Sequence, residues 1–128
     1  MVQNDDSTRT VRMTNIEKYS EQRPWGGFEQ FCLNQKATVK IIHVEPHAEL
    51  SLQFHHHRDE FWRVINGEGI IVIGEETRTG KKGDEFFIPC ETTHQIKTED
   101  TTVDILEISF GKFDEADIVR LSDKYGRV

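Results

Sequence analysis

After the turn-forming stretch "RPWGG", apolar residues come only in short runs cut by turn residues. "ATVKIIHV" (37–44) is β-branched and reads as a strand. "ELSLQFHHH" (49–57) alternates, with Leu50, Leu52 and Phe54 on one face and Ser51, Gln53, His55 and His57 on the other. "FWRVING" (61–67) ends in Asn66-Gly67, a strong hairpin signal, and "GIIVIGEE" (69–76) reads as the return strand. "GKKGDEFFIP", "TTHQIKT" and "TVDILEISF" continue the pattern as far as Phe110. Only "FDEADIVRLSDKYG" (113–126) looks partly helical, with Asp114 as its N-cap. Many short strands with turn signals between them predict an all-β sandwich or barrel, here with a short C-terminal helical segment.

The chain has 128 residues, enough for one domain with its own core. Residues 1–22 are polar and read as an N-terminal arm, leaving 23–128 as the folded domain. A net charge of -7 argues against nucleic acid and anionic membranes as partners. An anionic substrate then needs a local basic pocket. No stretch of about 18 apolar residues is present, so no membrane span is expected. The first residues lack the apolar centre of a signal peptide, and the two cysteines, Cys32 and Cys90, make no disulfide framework. A cytoplasmic location is the expectation.

"QFHHHRDEFW" (53–62) concentrates metal-ligand chemistry, because imidazole and carboxylate are the usual partners of zinc, iron and manganese. On a strand every second side chain shares a face. Gln53, His55 and His57 therefore fall together while His56 points away. Glu60 follows a short turn, and His94 is the obvious ligand from another strand. A lone histidine is usually a surface or packing residue, which is how His43, His47 and His56 read.

The spacing carries a likeness. Glu60 is followed by six residues and Gly67, with His55 and Gln53 at the positions of an H-x-H pair before it. Gly83, Pro89 and His94 fit a second motif. Both resemble the motifs of the cupin superfamily. More closely, "RPWGGFEQF", "LSLQFHHHRDEFWRVINGEG", "FFIPCETTHQI" and "DIVRLSDKYGR" resemble the type II phosphomannose isomerase cupin. That module often forms the C-terminal part of bifunctional mannose-1-phosphate guanylyltransferases. The likeness spans about residues 23 to 127. It implies a cupin double-stranded β-helix, or jelly-roll, barrel. It also implies one divalent metal ion on Gln53, His55, Glu60 and His94, with His57 as the competitor to Gln53. Zinc comes first among the metals; manganese, iron, cobalt and nickel also suit such ligands. The chain departs from the pattern where motif glycines become His47 and Glu91. It departs again where a closing asparagine becomes Thr98, and where an arginine after the second-motif histidine becomes Gln95. The last change removes a guanidinium that could pair with phosphate.

The activity implied is interconversion of mannose 6-phosphate and fructose 6-phosphate, an aldose–ketose isomerisation through an ene-diol. It needs a cation at the carbonyl and a base to move the proton. Lys40, Arg58 and Glu107 are the catalytic candidates. Lys40 and Glu107 also read as an ordinary strand ion pair, and Arg58 as a partner of Asp59. Asp117, Arg120, Asp123, Tyr125 and Arg127 read as an ion-paired helix and tail. The rival functions are a non-catalytic sugar- or metal-binding cupin and an Fe(II) dioxygenase, which also uses two histidines and a carboxylate. With a metal inside the barrel, Leu50, Leu52 and Phe54 would form an exposed apolar row, so a homodimer is expected.

Overall fold

The computed structural model describes residues 16–127. The strands are β1 (Tyr19–Arg23), β2 (Gly26–Gln30), β3 (Ala37–Val44), β4 (Leu52–Phe54), β5 (Glu60–Ile73), β6 (Glu76–Lys81), β7 (Glu85–Ile88), β8 (His94–Lys97), β9 (Val103–Phe110) and β10 (Val119–Ser122). All their pairings are antiparallel, and β1 and β2 form a separate hairpin.

The long strand β5 organises the rest. Its first half lies between β7 and β9, and β3 pairs with the far side of β9. Its second half lies between β6 and β8, followed outward by β4 and β10. The hairpin expected at Asn66-Gly67 is therefore a bend inside one strand. The register slips between Val64 and Asn66, and Gly67 takes φ +77°. A Cβ there would stand 2.1 Å from the Thr102 carbonyl oxygen, so only glycine lets β9 approach this closely. The turn signal is real, but it carries β5 from one sheet into the other.

The inner faces of the two sheets meet in one core. Val44, Trp62, Val64, Phe86, Ile88 and Ile105 come from one side, and Ile71 and Ile96 from the other. This alternation is what the strand patterns encode. A second cluster, Phe61, Ile108 and Phe110, lies on the outer face and packs against Ile16, Phe31 and Cys32. The Phe31 and Phe61 rings are 5.5 Å apart. Residues 19–22 thus belong to a hairpin, and the boundary expected between residues 22 and 23 falls inside β1. Residues 1–15 of the expected arm lie outside the described residues.

Two further expectations change. No helix occurs among the described residues, so the C-terminal segment is not helical. Asp114 does cap a turn, accepting the Ala116 N–H at 3.0 Å, but "VRLS" then pairs with β4. The β-branched residues there meet an open strand edge, which offers more hydrogen bonds than one isolated helical turn. Nor do Leu50, Leu52 and Phe54 form an exposed row. Leu50 packs on the core, and the other two are half-buried. The exposed apolar side chains of the barrel lie elsewhere, as at Val39 and Ile41 on the edge strand β3. Among the described residues no helix is long and apolar enough to cross a membrane.

Candidate metal centre

Three strand ends deliver three ligand groups to one buried point. Glu60 opens β5, His94 opens β8, and His55 follows the last residue of β4. All three are buried, and a ligand atom from each lies within 4.8 Å of the other two. The Nε2 of His94 is 3.6 Å from Glu60 Oε1, and the Nε2 of His55 is 3.7 Å from Glu60 Oε2.

Hydrogen bonds fix the aim of each group. His55 Nδ1 lies 2.6 Å from the Asp117 carbonyl oxygen, and His94 Nδ1 lies 2.9 Å from the Thr92 carbonyl oxygen. A carbonyl only accepts, so both Nδ1 atoms carry the proton and both Nε2 lone pairs face the carboxylate. Backbone carbonyls that set the tautomer in this way are characteristic of metal-ligating histidines. Glu60 Oε2 accepts from Arg58 Nε at 2.9 Å and from Ser109 Oγ at 3.1 Å. Its other oxygen, Oε1, is buried with no partner among the described residues. A buried carboxylate oxygen without a donor costs about 1–3 kcal/mol or more. Two lone pairs and an orphaned anionic oxygen around one point fit a divalent cation, whose bonds run to about 2.0–2.2 Å.

The titration behaviour agrees. Burial pushes the Glu60 carboxyl up, but the pull of the neighbouring His94, the hydrogen bond and charge of Arg58, and His55 together outweigh it, and the group sits below its ordinary range. Burial holds His94 below the ordinary imidazole value, so its ring is neutral at pH 7, as a ligand must be.

The fourth ligand was expected from Gln53 or His57. Gln53 lies directly opposite His94 in the β4–β8 ladder, so the two side chains share a face. His57 is exposed. Strand alternation stops at Phe54, because the Asp117 carboxylate accepts the backbone N–H of His56 at 2.8 Å and of His57 at 3.0 Å, turning the chain. His56 is exposed as expected.

The catalytic candidates gather beside this cluster. Lys40, Glu107 and Trp62 form one row across β3, β9 and β5, on the face that also carries Glu60. Glu107 is buried and accepts the Trp62 indole N–H at 3.0 Å. Burial first, and the charge of Glu60 second, push its carboxyl up to about 7. Lys40 and Arg58 both stack on one ring. The Lys40 Nζ is 4.5 Å and the Arg58 Cζ 4.4 Å from the centroid of Phe113. Arg58 is buried, and its partners are Glu60, the Asp114 carbonyl and His55 Nε2, which lies 3.3 Å from its Nη2. Gln95, next to His94 on the strand, faces the other way and donates to the Leu50 carbonyl at 3.0 Å. An arginine at 95 would therefore lie on the face opposite His94.

Sequence reasoning missed Ser109, Asp117 and Trp62. Ser109 was reachable, since it lies two residues after Glu107 on the same strand face. Nothing local marked Asp117, which acts across 62 positions of chain.

A family model described as mannose-6-phosphate isomerase C-terminal matches residues 10–123. The chain is 39% identical over 107 residues to the xanthan biosynthesis protein XanB of Xanthomonas campestris pv. campestris, covering 82% of this chain and 23% of that one. It is 35% identical over 108 residues to the mannose-1-phosphate guanylyltransferase ManC of Salmonella typhimurium, covering 83% and 22%. It is 34% identical over 125 residues to the alginate biosynthesis protein AlgA of Pseudomonas putida, covering 96% and 25%. The chain thus spans about a quarter of the length of these relatives. Among solved structures, a cupin protein from Bacteroides fragilis aligns at TM-score 0.55 and 26% identity, over 64% of this chain and 72% of that one. NovW, a 4-keto-6-deoxy sugar epimerase of Streptomyces spheroides, aligns at TM-score 0.62 and 11% identity, over 85% and 71%. The fold is that of a cupin.

Proposed function

This chain belongs to the mannose-6-phosphate isomerase C-terminal family, and on that premise we propose that it is a metal-dependent isomerase of a phosphorylated aldose and ketose, with mannose 6-phosphate as the leading substrate. The observation that carries the proposal is the buried cluster of His55, Glu60 and His94, with Glu60 Oε1 left without a donor. Gln53 completes the ligand set in this reading.

A divalent cation bound there supplies the charge that polarises a carbonyl and steadies the oxyanion that forms from it. The protein side chains do the rest. Glu107, held near pH 7 by burial, is matched to taking a proton from one carbon and returning it to the next. The Trp62 N–H fixes the orientation of that carboxylate. Arg58 holds Glu60 in place through its Nε and presents the remaining guanidinium edge toward His55. Lys40 brings a second cation to the same face.

The test is direct. The pure protein is incubated with mannose 6-phosphate and zinc, manganese, cobalt, iron or nickel in turn, and fructose 6-phosphate is assayed. Turnover with at least one metal, lost in Glu107→Gln, is expected. No turnover with any of them sinks the isomerase reading, and oxygen consumption with iron would replace it by a dioxygenase.

A further inference from the structure

The strongest unexplained group outside the cluster is a cation. Arg120 lies in β10 directly opposite Gln53, which itself lies directly opposite His94. The three residues therefore share one face across β10, β4 and β8, with about 10 Å of sheet between the outer two. The Nε of Arg120 is buried from water and has no hydrogen-bond partner among the described residues. A charged donor left in that state is costly, and folded proteins seldom tolerate one without a purpose.

The two acids nearest to it in sequence are engaged elsewhere. Both carboxylate oxygens of Asp117 are taken by the backbone of His56 and His57. Both oxygens of Asp123 are taken by Arg127. The buried Arg120 Nε–H thus goes unmatched by either of these acids, in a chain of net charge -7. A planar guanidinium matches an oxyanion with two or more equivalent oxygens.

We propose that Arg120 is an anion anchor on this sheet face, binding the phosphate of the substrate while the reacting end lies at His55, Glu60 and His94. The proposal rests on the isomerase reading for the identity of the anion as a sugar phosphate. The separation along the strand row suits a short phosphorylated sugar lying over Gln53.

Inorganic phosphate is the first probe, titrated calorimetrically into the full chain after metal removal, so that no phosphate binds through an ion. Arg120→Gln is expected to weaken phosphate at least tenfold, and Arg120→Lys, which keeps the charge but loses the Nε–H, severalfold. Arg127→Gln, whose guanidinium serves Asp123, should leave the affinity unchanged. Mannose 6-phosphate should show the same dependence on Arg120, and unphosphorylated mannose none. Arg120→Lys provides the comparison if Arg120→Gln does not fold. Phosphate affinity within twofold of the parent protein in either folded variant overturns the proposal, as does absence of phosphate binding in the parent. Arg120-dependent phosphate binding without sugar isomerisation removes only the isomerase reading. Isomerisation that survives with phosphate affinity insensitive to Arg120 removes only this one.

Discussion

The indole N–H of Trp62 donates to the Glu107 carboxylate inside the barrel, two residues along β5 from Glu60. Glu107 titrates at about 7 there, against an ordinary value of 4.5. The folded, metal-free protein therefore holds a proton between these values that the unfolded chain releases. Stability from this group is full below about pH 4.5 and is lost as pH rises through about 7. The change is on the order of 3 kcal/mol. Urea unfolding at pH 5 and pH 8 should show it, and Glu107→Gln should flatten the slope. Trp62 fluorescence should report the same midpoint, since the other tryptophan, Trp25, is exposed. A cation added beside Glu60 should move the midpoint down.

Metal loading should raise the melting temperature. A cation at a hundred times its dissociation constant adds about 2.7 kcal/mol, which is several degrees for a domain of this size. Glu60→Gln should lose that increment, and its metal affinity should fall by at least about tenfold. An equal rise in Glu60→Gln would mean that the cation binds elsewhere.

Gln53 and His57 can be separated by affinity alone. Gln53→Ala is expected to weaken zinc by about tenfold or more, because it removes a group directly opposite His94. His57→Ala should leave zinc affinity unchanged, since that ring is exposed. Equilibrium dialysis of the two variants decides it, and the reverse order would restore His57 as a ligand.

The two positions where motif glycines are replaced keep a left-handed backbone, with φ 55° at His47 and φ 66° at Glu91. Glycine relieves about 1–2 kcal/mol of strain at such a residue and gives part of it back in chain entropy. His47→Gly and Glu91→Gly should each stabilise the fold by about 0.5–1 kcal/mol in urea unfolding. Gly67→Ala should do the opposite, because its Cβ would meet the Thr102 carbonyl at 2.1 Å.

The sequence made the strands legible because strand alternation is local. It made Glu60, His55 and His94 legible because their spacing matches a family pattern. Asn66-Gly67 misled, since a glycine with positive φ serves a strand bend as well as a hairpin, and only the approach of Thr102 distinguishes them. His57 was placed on the ligand face by carrying alternation past Phe54, where Asp117 turns the chain from sixty residues away and the ring is exposed. The C-terminal segment read as helical from its capping residue, whereas the open edge of β4 decides its form. Each miss came from a contact distant in sequence.

Asp117 binds three consecutive histidines to the tail. Its carbonyl takes the Nδ1–H of His55, and its carboxylate takes the backbone N–H of His56 and His57. Three residues further on stands Arg120. Under the proposed anion site, an anion docked on Arg120 would also steady the segment that aims His55. Thermodynamic reciprocity would then require an occupied histidine–carboxylate centre to tighten that anion by the same factor. The tail would then be a lever shared by two ligands, through which the charge on one end of a substrate would be felt where its other end reacts.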